Sequence, residues 1–215
     1  MSEGLKSADW HERQRAVWAL GDSKDHAGAV RALEAVLRND PDQHVRIDAT
    51  IALGQLGGPD ATALLVAKSE STDESVVRVA ALEGISTSRD PSAVPGLINL
   101  FRLNRGQDDV VAQIGARRAL LKIDAPGVPQ LLQALNDPSP KVRAAVVEVL
   151  AKVGNPEVAD RIAGLQADPD FGVRWEVERA LAMLKGKQHR RRHEQFFGQG
   201  IGVVPGVVDQ GHVVP

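Results

Sequence analysis

Along most of this chain, apolar residues return every three or four positions. Val45, Ala49, Leu53 and Leu56 mark one such stripe, Val142, Val146, Leu150 and Val153 another, and Val173, Val177, Leu181 and Leu184 a third. That spacing keeps one face of a helix apolar, whereas a strand would alternate at every second residue. A shorter set of segments lies between these: AVRALEAVL from Ala29, AVPGLINLF from Ala93 and GVPQLLQAL from Gly127. Their apolar residues are spaced in the same way. Pro95 and Pro129 fall in or near a first turn, where a missing N–H breaks no helical bond. The pattern predicts an all-α chain of helical hairpins, each a short first helix followed by a longer second one.

The hairpins repeat. DPSPKVRAAVVEVLAKVG, from Asp137, echoes DPDQHVRIDATIALGQLG, from Asp40. Aligning the copies gives an arginine column of Arg13, Arg46, Arg78, Arg143 and Arg174, with Gln113 in the remaining copy, at steps of 30 to 35 residues. Six residues earlier stand Ser7, Asp40, Thr72, Gln107, Asp137 and Asp168. All but Gln107 carry a short side-chain oxygen and are expected as helix N-caps. Pro41, Pro138 and Pro169 would then occupy the first helical position. Gly57 and Gly154 are expected as C-caps. A unit of this length falls within the range of stacked repeats, in which each hairpin buries its apolar stripe against the next. The predicted fold is therefore an α-solenoid.

Two places depart from the pattern. The first copy, Ser7 to Gly21, is a second-type helix with no first helix before it, and it carries Glu12 where the stripe is otherwise apolar. A polar outer face suits the end of a stack. Around RLNRGQDDV the step lengthens, and Gln107 and Gln113 replace the cap and the arginine. This reads as repeat drift, with a specialised partner-binding loop as the alternative.

Each arginine sits beyond the cap position, where it is expected to reach the turn of a neighbouring repeat and bind carboxylate or carbonyl oxygens. The column is read as a structural ladder rather than a row of phosphate ligands. The second helices also carry a stripe away from the core, at positions equivalent to His44, Asp48, Ile51 and Gln55. One column of it reads Trp18, Ile51, Glu83, Arg118, Glu148 and Arg179, with Asp48, Gln55 and Lys122 beside it. These nine residues are the candidate partner-binding surface. A tryptophan beside an isoleucine is a hot-spot pattern, and the alternating charges are expected to pair along the face. Trp10 and Trp175 are expected as core or cap fillers.

The AVxxLxxxL helix, the DPxxxVR turn and the AxxALGxLG helix together resemble HEAT repeats. The closest type is the HEAT-like repeat named after phycobilisome lyases, over about residues 7–185. The resemblance implies an arginine ladder and a protein partner on the concave face. It also offers an enzymatic alternative. Bilin lyases attach a tetrapyrrole to a cysteine of a substrate protein, and no residue here is assigned to that step. Deoxyhypusine hydroxylase, a HEAT-like enzyme, holds two irons on repeated His-Glu pairs. Here such pairs occur only at His11-Glu12 and His193-Glu194, while other copies read His44-Val45, Val76-Val77 and Lys141-Val142. A di-iron site needs several convergent ligands, so that chemistry is rejected. HEAT-like DNA glycosylases use a basic concave face, but Asp48, Glu83, Glu148 and Glu176 interrupt this one, and cationic phosphate contacts dominate DNA affinity.

Composition narrows the choice. The chain has 215 residues, a formal net charge of −2 and no cysteine. Disulfides, thiolate metal sites and a cysteine nucleophile are excluded, and no overall field recruits nucleic acid or membrane. Aromatics are only 3%, so alanine, leucine and valine carry the burial, as close-packed helices require. The N-terminus has no apolar leader, and no stretch has membrane-spanning length. P-loop, G-x-S-x-G and zinc spacings are not found. No catalytic residue, cofactor or metal is predicted, and the expectation is a monomer in the cytoplasm.

After Lys185 the composition changes. Residues 186–215 contain no alanine and no leucine, begin with a basic run (Lys187, Arg190, Arg191, Arg192) and end GQGIGVVPGVVDQGHVVP. The expected organisation is a solenoid over 1–185, of about five hairpins plus an N-terminal half-repeat, and a non-helical or disordered tail over 186–215. Nucleic-acid binding through the basic run is a third functional reading, behind a non-catalytic scaffold and a bilin-lyase-like protein.

Overall fold

Helices form wherever the three-to-four spacing runs, and they alternate between two layers. The computed structural model describes residues 3–71, 74–103, 106–154 and 158–198, with backbone only at 107–108 and 188–198. In chain order the helices are α1 (Trp10–Gly21), α2 (His26–Asn39), α3 (Gln43–Leu56), α4 (Gly58–Glu70), α5 (Ser75–Ser88), α6 (Val94–Leu100), α7 (Gln107–Ile123), α8 (Val128–Ala134), α9 (Pro140–Val153), α10 (Val158–Ala163) and α11 (Phe171–Gly198). Short 3₁₀ turns at Gly4–Lys6, Pro91–Ala93 and Ala125–Gly127 precede α1, α6 and α8. The described residues contain no strand. The even-numbered helices are the first helices of the hairpins, and the odd-numbered ones are the second.

The predicted stripes are the core. Val45, Ala49, Leu53, Val142, Val146, Leu150, Val173 and Val177 are fully buried, and they join one cluster running the length of the stack. Gly57 and Gly154 close α3 and α9 with positive φ, 64° and 77°.

The two layers pack unequally. Second helices lie against each other extensively from α1 through α7, and again between α9 and α11, while successive first helices touch far less. Small residues make the closeness possible. A Cβ at Gly54 would come within 2.6 Å of the Gly84 Cα, and one at Gly21 would meet Ala52. A stack whose layers are spaced unequally curves toward its tighter layer, so the second helices line the inside. One joint differs: α7 and α9 make far fewer contacts than any other neighbouring pair of second helices.

The helix starts correct the sequence reading. Asp40, Asp137 and Ser7 are not N-caps. The caps of α1, α3 and α9 are Asp9, Asp42 and Ser139, each two residues later. Asp9 and Asp42 accept from the His11 and His44 backbone N–H at 3.0 and 2.8 Å. Asp168 is displaced in the same way, since Asp170 accepts from Val173 N–H at the start of α11. The earlier column makes a turn instead. Asp40, Asp137 and Asp168 each accept the backbone N–H two residues on, at 2.9 Å. Two acceptors at alternate positions look alike in sequence, but only the later one stands over the first turn of the helix. Pro41, Pro138 and Pro169 accordingly lie in the turn, and Pro140 opens α9. Thr72 lies outside the described residues.

The C-terminal boundary also moves. α11 continues through Lys185 to Gly198, because KQHRRRHEQ is polar throughout but contains no helix breaker. Lys187, counted above in the basic run, donates to the Ala151 and Lys152 carbonyls at 3.2 and 2.7 Å. It satisfies carbonyls at the end of α9, where a cation is favoured. Residues 199–215 lie outside the described set.

Candidate functional site

The arginine column stands at the seam between repeats. Arg143 Nε and Nη2 donate to both carboxylate oxygens of Asp168, each at 2.8 Å, while its Nη1 donates to the Asp137 and Pro138 carbonyls. Arg13 repeats this atom for atom, with Nε and Nη2 on Asp40 and Nη1 on the Ser7 and Ala8 carbonyls. Arg46 donates to the Asp40 carbonyl and to Glu74. Arg78 is buried and donates to the Ser71 carbonyl. Gln113, in the same column, donates to the Leu103 carbonyl at 3.1 Å. The Arg143 fork holds the Asp168 carboxyl below the usual carboxylate range, against the opposing effect of burial. In the same way the Arg46 bond holds Glu74 down. Arg13, Arg46 and Arg143 are thus engaged between repeats by carboxylates of the fold itself.

The second-helix face is what remains. Trp18, Ile51, Gln55, Glu83, Arg118, Lys122 and Arg179 are exposed on it, and Asp48 and Glu148 are half-buried at its edge. Gln14 donates to Asp48 from the preceding repeat. Arg118 pairs with Glu83 across α5 and α7. Glu148 accepts from Arg117 at 2.8 Å and Lys152 at 2.6 Å. Burial pushes the Glu148 carboxyl up, but these two cations outweigh it and hold it low. Glu176 lies the other way: burial raises it despite its bond from Arg179. Glu83, Arg118, Glu148 and Arg179 are therefore held in ion pairs, and the apolar part of the face is open.

Val76 and Val111, at the His44 position of the predicted stripe, are exposed between α5 and α7, and so is Ile114, which the sequence reading did not include. Around Val76, Val79, Leu82, Val111 and Ala112 lies a shallow depression of about 220 Å³. Ile114 belongs to a column one residue after the ladder arginine, which also holds Ile47, Val79 and Trp175. An apolar run pointing away from the hairpin partner was the available signal. Trp175 is not a core filler. It is half exposed, with the Arg179 guanidinium 4.6 Å from its ring centroid. Trp10 is half-buried against the core, stacked on the His11 ring at 3.7 Å and tilted against His44 in the next repeat at 5.7 Å.

Arg117 was also missed. It stands four residues after the ladder position, where other copies carry the buried Val17, Thr50, Leu82 and Val147. Its guanidinium lies 4.9 Å from the Phe101 ring and pairs with Glu148 across the loose α7–α9 joint. A polar crevice of about 370 Å³ opens there, lined by Phe101, Gln113, Arg117, Lys141, Glu148 and Glu176 among others. The described residues hold no cluster of three or more histidine, aspartate or glutamate side chains placed to bind a metal. They also contain no helix long and apolar enough to cross a membrane.

Stacked hairpins joined by an arginine–carboxylate ladder, with an open inner face, define an α-solenoid. The chain belongs to the HEAT-repeat family, whose model matches residues 1–86, 30–121 and 128–190. It is 30% identical over 123 residues to the phycocyanobilin lyase subunit beta of Nostoc sp. (strain PCC 7120), and the match spans 57% of either protein's length. Among solved structures, the complex of CpcE and CpcF of phycocyanin lyase from Nostoc sp. PCC7120 is similar at 26% identity, with 81% of this chain and 72% of that one covered and a TM-score of 0.48. Human deoxyhypusine hydroxylase is similar at 18% identity, covering 86% and 83%, with a TM-score of 0.40.

Proposed function

We propose that this chain is a non-catalytic protein-binding module of the cytoplasm, a monomer that receives a partner protein on the concave second-helix face. The observation that carries this reading is how the residues of the face divide. Glu83, Arg118, Glu148 and Arg179 are held in ion pairs and the ladder arginines Arg13, Arg46 and Arg143 are engaged between repeats, while Trp18, Ile51, Val76, Val111 and Ile114 lie open across successive repeats. Exposed aromatic and aliphatic side chains on a preformed surface are what interface hot spots require. The test is affinity capture from lysate of the source organism, comparing wild type with the Trp18→Ala, Ile51→Ala double variant. Both side chains are exposed, so the variant keeps its melting temperature. A partner retained equally by the two proteins removes this reading.

The second reading is a bilin-lyase subunit, favoured by the 30% identity to the phycocyanobilin lyase subunit over 123 residues. Titration of the purified chain with phycocyanobilin separates the two. A lyase-like protein shifts the pigment's visible absorption and quenches the tryptophans on the face, and a scaffold leaves both unchanged.

A further inference from the structure

Among the described residues the ladder ends at Arg174, whose guanidinium lies 5.8 Å from the Phe171 ring and keeps one edge without an acceptor. Arg174 Nη1 donates to the Asp168 and Pro169 carbonyls at 2.6 and 3.0 Å, as Arg143 Nη1 does to Asp137 and Pro138. In Arg13 and Arg143 the Nε and Nη2 edge grips a carboxylate of the following repeat. On Arg174 that same edge meets no acceptor among the described residues, although the side chain is already fixed by its own repeat.

A second residue at this end tells the same story. Phe171 stands in the column of Trp10, three residues before the ladder arginine. Trp10 lies against His44 of the following repeat. Phe171 has no following repeat among the described residues and is 73% exposed, the highest value among their large apolar side chains. Four residues after Arg174, where Val17, Thr50, Leu82 and Val147 are buried against the next repeat, stands the exposed Glu178. A charge there keeps the free end soluble and makes any docking reversible. The chain itself goes on past Lys185 without writing another hairpin.

We propose that the Phe171–Arg174 end of the stack is a second docking site, which receives a helical hairpin of another protein whose Asp or Glu, just ahead of a helix, completes the arginine ladder in trans. The interior seams specify this occupant. Asp168 and Asp40 show what the open Arg174 edge fits: a carboxylate gripped by two parallel N–H bonds, a geometry that arginine recognises and lysine does not. A second copy of this chain does not fit, because its first repeat offers Ser7 in that position, and the Ser7 hydroxyl already donates to Glu12.

The test places the photo-crosslinking residue benzoylphenylalanine at Phe171 of the full chain, in cells of the source organism, and maps the crosslinked peptides by mass spectrometry. The expected product joins position 171 to another protein, within a few residues of an acidic residue that precedes a helix. Arg174→Glu lowers the yield at least about tenfold, the size of effect expected when one member of a buried charge pair is reversed. Arg174→Lys lowers it as well, and reversing the partner's acid in the Arg174→Glu background restores it. The Trp18→Ala, Ile51→Ala double variant leaves this crosslink intact, so the inference and the proposed function fail separately. No crosslink, crosslinks only to residues 199–215 or to a second copy, or a yield indifferent to Arg174→Glu would each overturn the proposal.

Discussion

Arg143 and Arg174 occupy the same column and differ in one respect: Arg143 grips a carboxylate of the next repeat, and Arg174 does not. Arg143→Ala leaves the buried Asp168 without its fork, a loss of about 2–3 kcal/mol, or roughly 4–12 °C in Tm for a chain of this size. Arg174→Ala removes two carbonyl bonds and a ring contact with Phe171, all within its own repeat, and costs clearly less. The pair of melting curves separates a ladder between repeats from mere local bonding. The pH dependence follows from Asp168, whose native carboxyl is held below its ordinary value. A depressed acid stabilises the fold fully above the unfolded value, about pH 4. The contribution is lost as pH falls through the native value, so the gap between wild type and Arg143→Ala narrows in acid. The ladder was legible in sequence because an arginine at fixed spacing from an acid survives alignment by eye. The caps were not, because Asp40 and Asp42 are equally plausible oxygens until the first turn of the helix is placed.

At the scale of helices, periodicity located all the second helices and the face each one buries. It could not say which part of the remaining surface meets solvent, since that depends on where neighbouring repeats stack. Gly115 and Ala145, two residues after the ladder position and so in the expected binding stripe, are buried in the seams, while Ile114 and Trp175 emerge. The seams are set by residues without bulk. Gly54 lies where a Cβ would be 2.6 Å from the Gly84 Cα and 2.7 Å from its carbonyl oxygen, both of them backbone atoms that cannot rotate aside. Gly54→Ala therefore forces α3 and α5 apart. The gain in helix propensity, about 1 kcal/mol, is outweighed by overpacking that costs about 1–3 kcal/mol and propagates to every contact between these helices. A lowered Tm is the expected outcome, and an unchanged or raised Tm would show that the helices are not in van der Waals contact there.

In the molecule as a whole, stability in a stack of repeats depends on the weakest joint between neighbours. That joint is between α7 and α9. Where other seams bury Val17, Leu82 or Val147, this one places the Arg117 guanidinium on Phe101 and across to Glu148, with an open crevice beside it. A charge pair about three-quarters shielded from water supplies less cohesion than the aliphatic packing it replaces. The lengthened step read from sequence as drift, Arg78 to Gln113, falls at the well-packed α5–α7 seam instead, and the step across the loose joint, Gln113 to Arg143, is 30 residues, the shortest of the five. Spacing therefore did not mark the splay, which falls where Arg117 stands in an apolar column. Below the global transition, residues 10–123 and 128–187 should therefore open as two units. Amide hydrogen exchange in mild denaturant checks this, with α9 and α11 expected to lose protection together and before α3 and α5, which share the most extensive seam. Arg117→Ala widens the interval between the two units by removing one of the ion pairs across the joint, leaving Arg102 on Asp137. A single free energy of opening shared by all the helices would mean that the joint is as strong as its neighbours, and that the crevice is a surface feature without mechanical consequence.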